Sequence, residues 1–238
     1  MMAHVDLCSG IGGFALGFQW AGLSKPVLFC DIEPWSRKVL AKHWPDVPIA
    51  TDVKELANDP DRNVPDCDIL TAGYPCQPFS HAGKRLGQED DRHIWPYLLQ
   101  IVAQKRPAWC CFENVYGHVS MGLDQVLLDL EGQGYATRTF IVPACSVDAP
   151  HKRDRIWIIA KNVADTNSTR REEQRWPQPA QPEHQAPQCG GGWLPEPAVG
   201  RVANGIPKRV DRLKGLGNAI VPQIAQRIGE TIKRADLQ

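Results

Sequence analysis

A chain of 238 residues with 27 basic and 27 acidic side chains carries no net formal charge, which excludes bulk attraction to a polyanion and leaves a local basic surface as the only electrostatic route to nucleic acid. Its length admits one full α/β domain with a small appendage and excludes two large domains. The eight cysteines show no paired CxxC spacing, which argues against a zinc ribbon, and they read as reduced, intracellular thiols.

From the start to about residue 160, short apolar runs that end in polar or Gly-rich turns alternate with amphipathic stretches. The pattern predicts strands near 5–8, 27–31, 68–72, 108–113, 137–142 and 155–160, with a further short strand before Asp52. Helices are predicted near 13–21, 34–43, 92–105 and 122–133, the third carrying Leu98, Leu99, Ile101 and Val102 at helical spacing. Such alternation is that of a parallel sheet with crossover helices. From Asn162 to about Gly200 six prolines punctuate a run rich in Gln, Arg and Glu, with too few apolar residues for a core of its own, so it is a linker or a minimal insertion that orders on a partner. A regular pattern then returns: Pro222 is placed to start a helix, and Ile224, Ile228 and Ile232 stand one turn apart, predicting a final helix that packs back on the sheet. No segment opens with a basic stretch before a long apolar one, and none reaches membrane-spanning length, so the expectation is a soluble, cytoplasmic protein.

The opening DLCSGIGGF joins a strand to a helix through Gly10, Gly12 and Gly13, a turn that lets backbone N–H groups approach a ligand. By itself such a turn is common. The next strand end adds Glu33, about twenty residues on, a position suited to holding ribose hydroxyls. Asp52 is a weaker candidate, for an adenine amino group.

A second cluster of chemistry sits further along. AGYPCQPFS places Cys76 in a Pro-bracketed loop just past a buried strand, where α/β enzymes keep their reactive groups. WCCFENV ends in Glu113, and HKRDR brings Arg153 and Arg155 just before the last strand. A thiol, a carboxylate and two guanidiniums are thus expected at one end of the sheet.

In this order and spacing DLCSGIGGF, Glu33, GYPCQPFS, FENV, RDR and GLGNAIVP resemble the DNA cytosine-5 methyltransferases, of the short type often seen in phages and prophages. The resemblance covers most of the chain outside 162–200. It implies a Rossmann-like, S-adenosylmethionine-dependent methyltransferase sheet with a small, reduced target-recognition region. Residues 1–161 would be the catalytic and cofactor-binding domain, 162–210 the target-recognition or linker region, and 211–238 a C-terminal helix packing back on the catalytic domain. Cys76 is implied as the nucleophile, Glu113 as the contact to the cytosine ring, Arg153 and Arg155 as supports of the base and the cysteine loop, and Asn218 as part of the closing motif beside the cofactor. The implied S-adenosylmethionine site comprises Asp6, Ser9, Gly10, Gly12, Gly13, Phe14, Glu33, Trp35, Asp52, Pro75, Asn218 and Ala219, and no metal is required. Three departures stand out: Cys8 replaces a large residue that would lie against the adenine, leaving that contact to Trp35 or Pro34; His151 replaces a glutamine before the two arginines; and the variable segment is much shorter than usual.

The implied reaction explains the residue types. Carbon 5 of cytosine is a poor nucleophile until a thiolate adds to carbon 6, and a free thiol of pKa about 8.5 needs cationic neighbours such as Arg153 and Arg155 to ionise near neutrality. Glu113, protonated or hydrogen-bonded to ring nitrogen 3 and the exocyclic amine, would stabilise the charge that develops. The target carbon is inaccessible in a duplex, so the base must rotate out of the helix. The implied partners are duplex DNA and a cognate restriction endonuclease, with the chain acting as a monomer. DNA contacts are expected from Gln77, Ser80, Lys84 and Arg85 in a lid after Cys76, and from Arg170, Arg171, Arg175, Lys208 and Arg209 in the reduced region, which has room to read only a few base pairs. A tRNA cytosine-5 methyltransferase on the same core is the competing reading, but the chain lacks the CFT-like element of that branch.

Overall fold

His4 to Leu7 are all fully buried because their strand, β1 (Met2–Leu7), lies inside the sheet with a parallel neighbour on each side and helices over both faces. The computed structural model describes residues 1–75, 94–163 and 218–236. Within them β1, β2 (Ser24–Cys30), β3 (Ile49–Ala50), β4 (Ile69–Gly73), β5 (Trp109–Val115), β6 (Tyr135–Pro143) and β7 (Asp154–Asn162) form one sheet in the order β3-β2-β1-β4-β5-β7-β6.

The first five strands pair in parallel, whereas β7 runs antiparallel to both β5 and β6. The wholly parallel sheet expected from the alternation is therefore corrected at this end. Between β6 and β7 there is room for only one short turn of 3-10 helix, Ala144–Val147, and without a crossover helix the chain has to return antiparallel.

Helices α1 (Gly13–Trp20), α2 (Pro34–His43) and α8 (Pro222–Asp236) cover one face. The other face is covered by α3 (Val53–Asn58), α4 (Pro60–Asn63), α5 (Trp95–Lys105) and α7 (Leu123–Gly132), with the short α6 (His118–Met121) ahead of α7. The sequence pattern did not indicate α3 and α4. They are too short to display a period, and their starts are set instead by the Asp52 and Asp59 side chains, which accept from the Lys54 and Arg62 N–H groups.

Leu98, Ile101 and Val102 of α5 and Val126 and Leu130 of α7 pack on Leu70, Phe112 and Ile158, each such burial contributing about 1.5–3 kcal/mol. On the opposite face Phe14, Phe18, Trp109 and Trp157 meet Ile224, Ala225 and Ile232 of α8. The two helices approach so closely that a β-carbon at Gly17 would stand 2.3 Å from the Pro222 carbonyl oxygen and 2.6 Å from the Ala225 β-carbon. That contact fixes α8 beside α1 and brings Asn218 and Ala219 to the C-terminal end of the parallel strands. Among the described residues no helix is long and apolar enough to cross a membrane.

Candidate active site

The ends of β1, β2, β4 and β5 open on a single cleft of about 660 Å³. Open α/β sheets bind ligands at this edge because the loops that follow parallel strands converge there.

One half of the cleft is built on the glycine turn. Cys8, Gly10 and Gly12 have positive φ angles of 50°, 55° and 84°, so the chain turns sharply before α1 begins. Asp31 clamps this turn from the end of β2: Oδ2 accepts the Gly10 N–H at 2.7 Å and Oδ1 accepts the Glu33 N–H at 2.8 Å. Burial raises the Asp31 carboxyl above its ordinary range, against the pull of those two N–H donors. Glu33, Trp35 and Asp52 complete this wall with Cys8. The functional candidate missed in the sequence here is Asp31; its signal was available, since an Asp that accepts the N–H two residues on is a common turn-forming arrangement.

Beneath the turn lies a buried polar chain. The Thr71 hydroxyl donates to Asp6 Oδ1 at 2.7 Å, and His4 Nε2 stands 2.8 Å from the same hydroxyl oxygen. Burial pushes the Asp6 carboxyl up to about 8, opposed by the Thr71 hydrogen bond, and pushes His4 down to about 3. With Thr71 giving its proton to Asp6, neutral His4 is the donor to Thr71.

The other half of the cleft carries Pro75, Glu113, Arg155 and Asn218. Glu113 ends β5 in register with Gly73 and Trp157, and the Arg155 Nε lies 2.9 Å from Glu113 Oε1. Burial pushes the Glu113 carboxyl up to about 7 even though the Arg155 and Arg153 guanidiniums pull it down. Near neutrality this carboxyl can therefore either hold a proton or release one. Arg153, with φ of 39°, aims elsewhere: its Nη2 donates to the Ala219 carbonyl at 2.8 Å. Asn114, part of the FENV motif but given no role of its own there, is buried on the cleft wall; its Oδ1 accepts the Val115 N–H, and its Nδ2 has no partner among the described residues. The adjacent Tyr74 hydroxyl lies 2.9 Å from His118 Nε2, a buried pair behind Pro75.

The sequence-predicted residues thus divide into three groups. Gly10, Glu33, Trp35, Asp52, Pro75, Glu113, Arg155 and Asn218 line the cleft. Asp6, Ser9, Gly12, Gly13 and Phe14 lie beneath its floor, Ser9 with its hydroxyl 2.5 Å from the Asp6 carbonyl and Phe14 against Trp157, while Arg153 and Ala219 join each other at its rim. Cys76, Gln77, Ser80, Lys84, Arg85, Arg170, Arg171, Arg175, Lys208 and Arg209 lie outside the described residues. His151 is exposed. Among the described residues no cluster of His, Cys, Asp and Glu is arranged to hold a metal ion.

Residues 2–190 match the family model for C-5 cytosine-specific DNA methylase. The chain is 34% identical over 176 residues to the Type II methyltransferase M2.BsuMI of Bacillus subtilis (strain 168), covering 69% of this chain and 43% of that protein. It is 35% identical over 164 residues to the Type II methyltransferase M.NgoBI of Neisseria gonorrhoeae, covering 67% and 50%. The chain thus spans about half the length of these curated relatives or less. In fold it is similar to the Dnmt2 methyltransferase of S. pombe, with a TM-score of 0.60 and 24% identity over 68% of this chain and 51% of that one.

Proposed function

The chain belongs to the C-5 cytosine-specific DNA methylase family, and from that premise we propose that it transfers a methyl group from S-adenosylmethionine to carbon 5 of a cytosine rotated out of duplex DNA. The observation that carries the reading is Glu113, a buried carboxyl near neutrality, held by Arg155 in the same cleft as the Asp31-clamped glycine turn.

The acidic wall suits the cofactor. Glu33 offers carboxylate oxygens to ribose hydroxyls, Asp52 can accept from an adenine amine, Trp35 presents an aromatic face, and the summed negative charge favours a sulfonium cation. S-adenosylmethionine, when bound, supplies the electrophilic methyl that carbon 5 takes up.

Cys76 is the proposed nucleophile, on its position in GYPCQPFS. Its thiolate forms a bond to carbon 6, and the electron pair of the 5,6 double bond is delocalised toward nitrogen 3. Glu113 holds a proton at nitrogen 3, so the displaced pair comes to rest in a neutral enamine in which carbon 5 is nucleophilic. Arg155 keeps the carboxyl in place through Oε1. Methylation leaves the ring cationic with its proton on nitrogen 3; that proton returns to Glu113, a water takes the carbon 5 proton, and the freed carbon–hydrogen pair re-forms the 5,6 double bond as the carbon 6–sulfur pair leaves with the Cys76 thiolate.

Duplex DNA is favoured over tRNA as substrate because the relatives above are named Type II methyltransferases and no CFT-like element occurs in the chain. The same names extend the proposal to a cognate restriction endonuclease as partner. The test is incubation of the purified protein with labelled S-adenosylmethionine and either duplex DNA or tRNA. Label at cytosine carbon 5 of DNA is expected; label in tRNA alone would move the substrate to tRNA, and none in either would overturn the reading. A duplex carrying 5-fluorocytosine should trap a covalent complex with the protein, and Cys76→Ser should not form it, because the fluorine blocks the elimination that frees the thiolate.

A further inference from the structure

Parallel pairing between β4 and β5 ends at Gly73 and Glu113, the last registered partners. Past that point both chains still line the catalytic half of the cleft, one through Tyr74 and Pro75 and the other through Asn114 and Val115. β7 holds Asn114 and Val115 through their partners Ile156 and Arg155. On the side facing β4 the ladder has ended, so the spacing of the two chains there depends on side chains.

A buried polar contact joins them. The Tyr74 hydroxyl lies 2.9 Å from Nε2 of His118, the first residue of α6, and both residues are almost wholly buried. The Tyr74 ring is tilted on Trp95 and meets Phe112 and His118 edge to face, so neither partner can swing away from the other. His118 Nδ1 is buried with no partner among the described residues. A buried N–H without an acceptor is rarer than a buried lone pair without a donor, so the ring hydrogen sits on Nε2 and is donated to the Tyr74 oxygen. Burial holds His118 below its ordinary range, which keeps the ring neutral near pH 7. Two apolar side chains would fill the same space with no polar atom to satisfy, so what the pair adds to packing is direction.

We propose that Tyr74 and His118 are positioning residues for methyl transfer: their hydrogen bond fixes the exit of β4 against that of β5, and so sets the pocket between Pro75 and Glu113 that receives the flipped cytosine. The role rests on the reading of this cleft as a cytosine-5 methyltransferase site. Glu113 is then steadied from both sides, by Arg155 across β7 and by the Tyr74 to His118 bond across the end of β4. Such steadying matters because a displacement of about 1 Å at reacting groups can cost on the order of a hundredfold in rate. The cofactor half of the cleft is built instead on Gly10 and Asp31, at the ends of β1 and β2, so its affinity is set elsewhere.

Single-turnover methylation of duplex DNA, with the full-length protein in excess and S-adenosylmethionine saturating, tests this. Under those conditions an unfolded fraction lowers the amount of active protein and not the rate constant. Tyr74→Phe keeps the ring and loses the hydroxyl, and should slow the rate constant about tenfold. His118→Leu should slow it by the same factor, and the double variant no further, since each change removes the same bond. His118→Gln, whose amide can donate in place of Nε2, should bring the rate constant to within about twofold of the parent protein. The S-adenosylmethionine dissociation constant, by calorimetry, should stay within about twofold of the parent in every variant. A parental rate in Tyr74→Phe, multiplied losses in the double variant, His118→Gln as slow as His118→Leu, or a matching loss of cofactor affinity would each overturn the positioning role. Failure of the parent protein to methylate duplex DNA would overturn the reading of the cleft, and the role with it.

Discussion

Arg155 Nε lies 2.9 Å from Glu113 Oε1 along a diagonal of the antiparallel β5 and β7 pair, in which Glu113 is registered with Trp157 and Arg155 with Val115. The guanidinium lowers a carboxyl that burial has raised to about 7. If the protonated acid serves nitrogen 3, single-turnover methylation should fall as pH rises through about 7, where that proton is lost. Arg155→Ala, by removing the lowering influence, should move the fall to higher pH. Glu113→Gln should abolish it and reduce the rate by about a hundredfold or more. A Glu113→Gln profile that still falls near pH 7 would assign the titration to another group.

Arg153 presents a different kind of contact, donating to the Ala219 carbonyl from a left-handed backbone conformation. A hydrogen bond from a charged donor contributes about 1.5–3 kcal/mol, and the backbone conformation costs a non-glycine residue about 1–2 kcal/mol. Arg153→Ala loses the bond and keeps the strain; Arg153→Gly loses the bond and relieves the strain. Calorimetry should therefore find Arg153→Gly the more stable variant, with both raising the KM for S-adenosylmethionine because the segment holding Asn218 is released. Equal melting temperatures would show that the conformation is not strained.

Close packing of α1 on α8 makes Gly17 intolerant of any side chain. Gly17→Val should destabilise the fold by about 3 kcal/mol or more, as overpacking against backbone leaves nothing free to yield. Gly132, in α7, has no atom within 4 Å of an added β-carbon. Gly132→Ala should stabilise by about 0.5 kcal/mol through helix propensity. Urea denaturation of both variants checks the pair.

The buried Asp6 predicts how stability responds to pH. Its carboxyl is raised from 3.8 to about 8, so over that interval the folded protein keeps a proton that the unfolded chain has lost. Stability therefore falls as pH climbs from about 4 to about 8, by an amount on the order of a few kcal/mol. Asp6→Asn can still accept the Thr71 hydroxyl and cannot ionise, so its stability should not show that fall, and the gap between the two proteins should widen toward pH 8. His4 acts oppositely, losing stability as pH drops below 6.5, and does so equally in both proteins. Parallel stability curves from pH 5 to 8 would place no ionising carboxyl at Asp6.

The sequence by itself determined those parts of the protein that depend on near neighbours. Alternating apolar runs marked β1, β2, β4 and β5 and the helices α1, α2, α5 and α7, because strand and helix periods are read over a few residues. The glycine turn and the family membership were likewise legible, since DLCSGIGGF, GYPCQPFS, FENV and GLGNAIVP are short continuous stretches. Only the tertiary structure decided the antiparallel course of β7, which rests on the absence of a crossover helix, and the role of Asp31, whose partner Gly10 is 21 residues away. It also divided the two arginines of RDR, which sequence alone treats as equivalent. Arg155 meets Glu113 through the β5 and β7 register, whereas Arg153, turned by its positive φ, reaches Ala219 at a separation of 66 residues. Local pattern carries no information about such contacts, because strand register and helix docking are set by how the whole core closes rather than by the residues beside each partner.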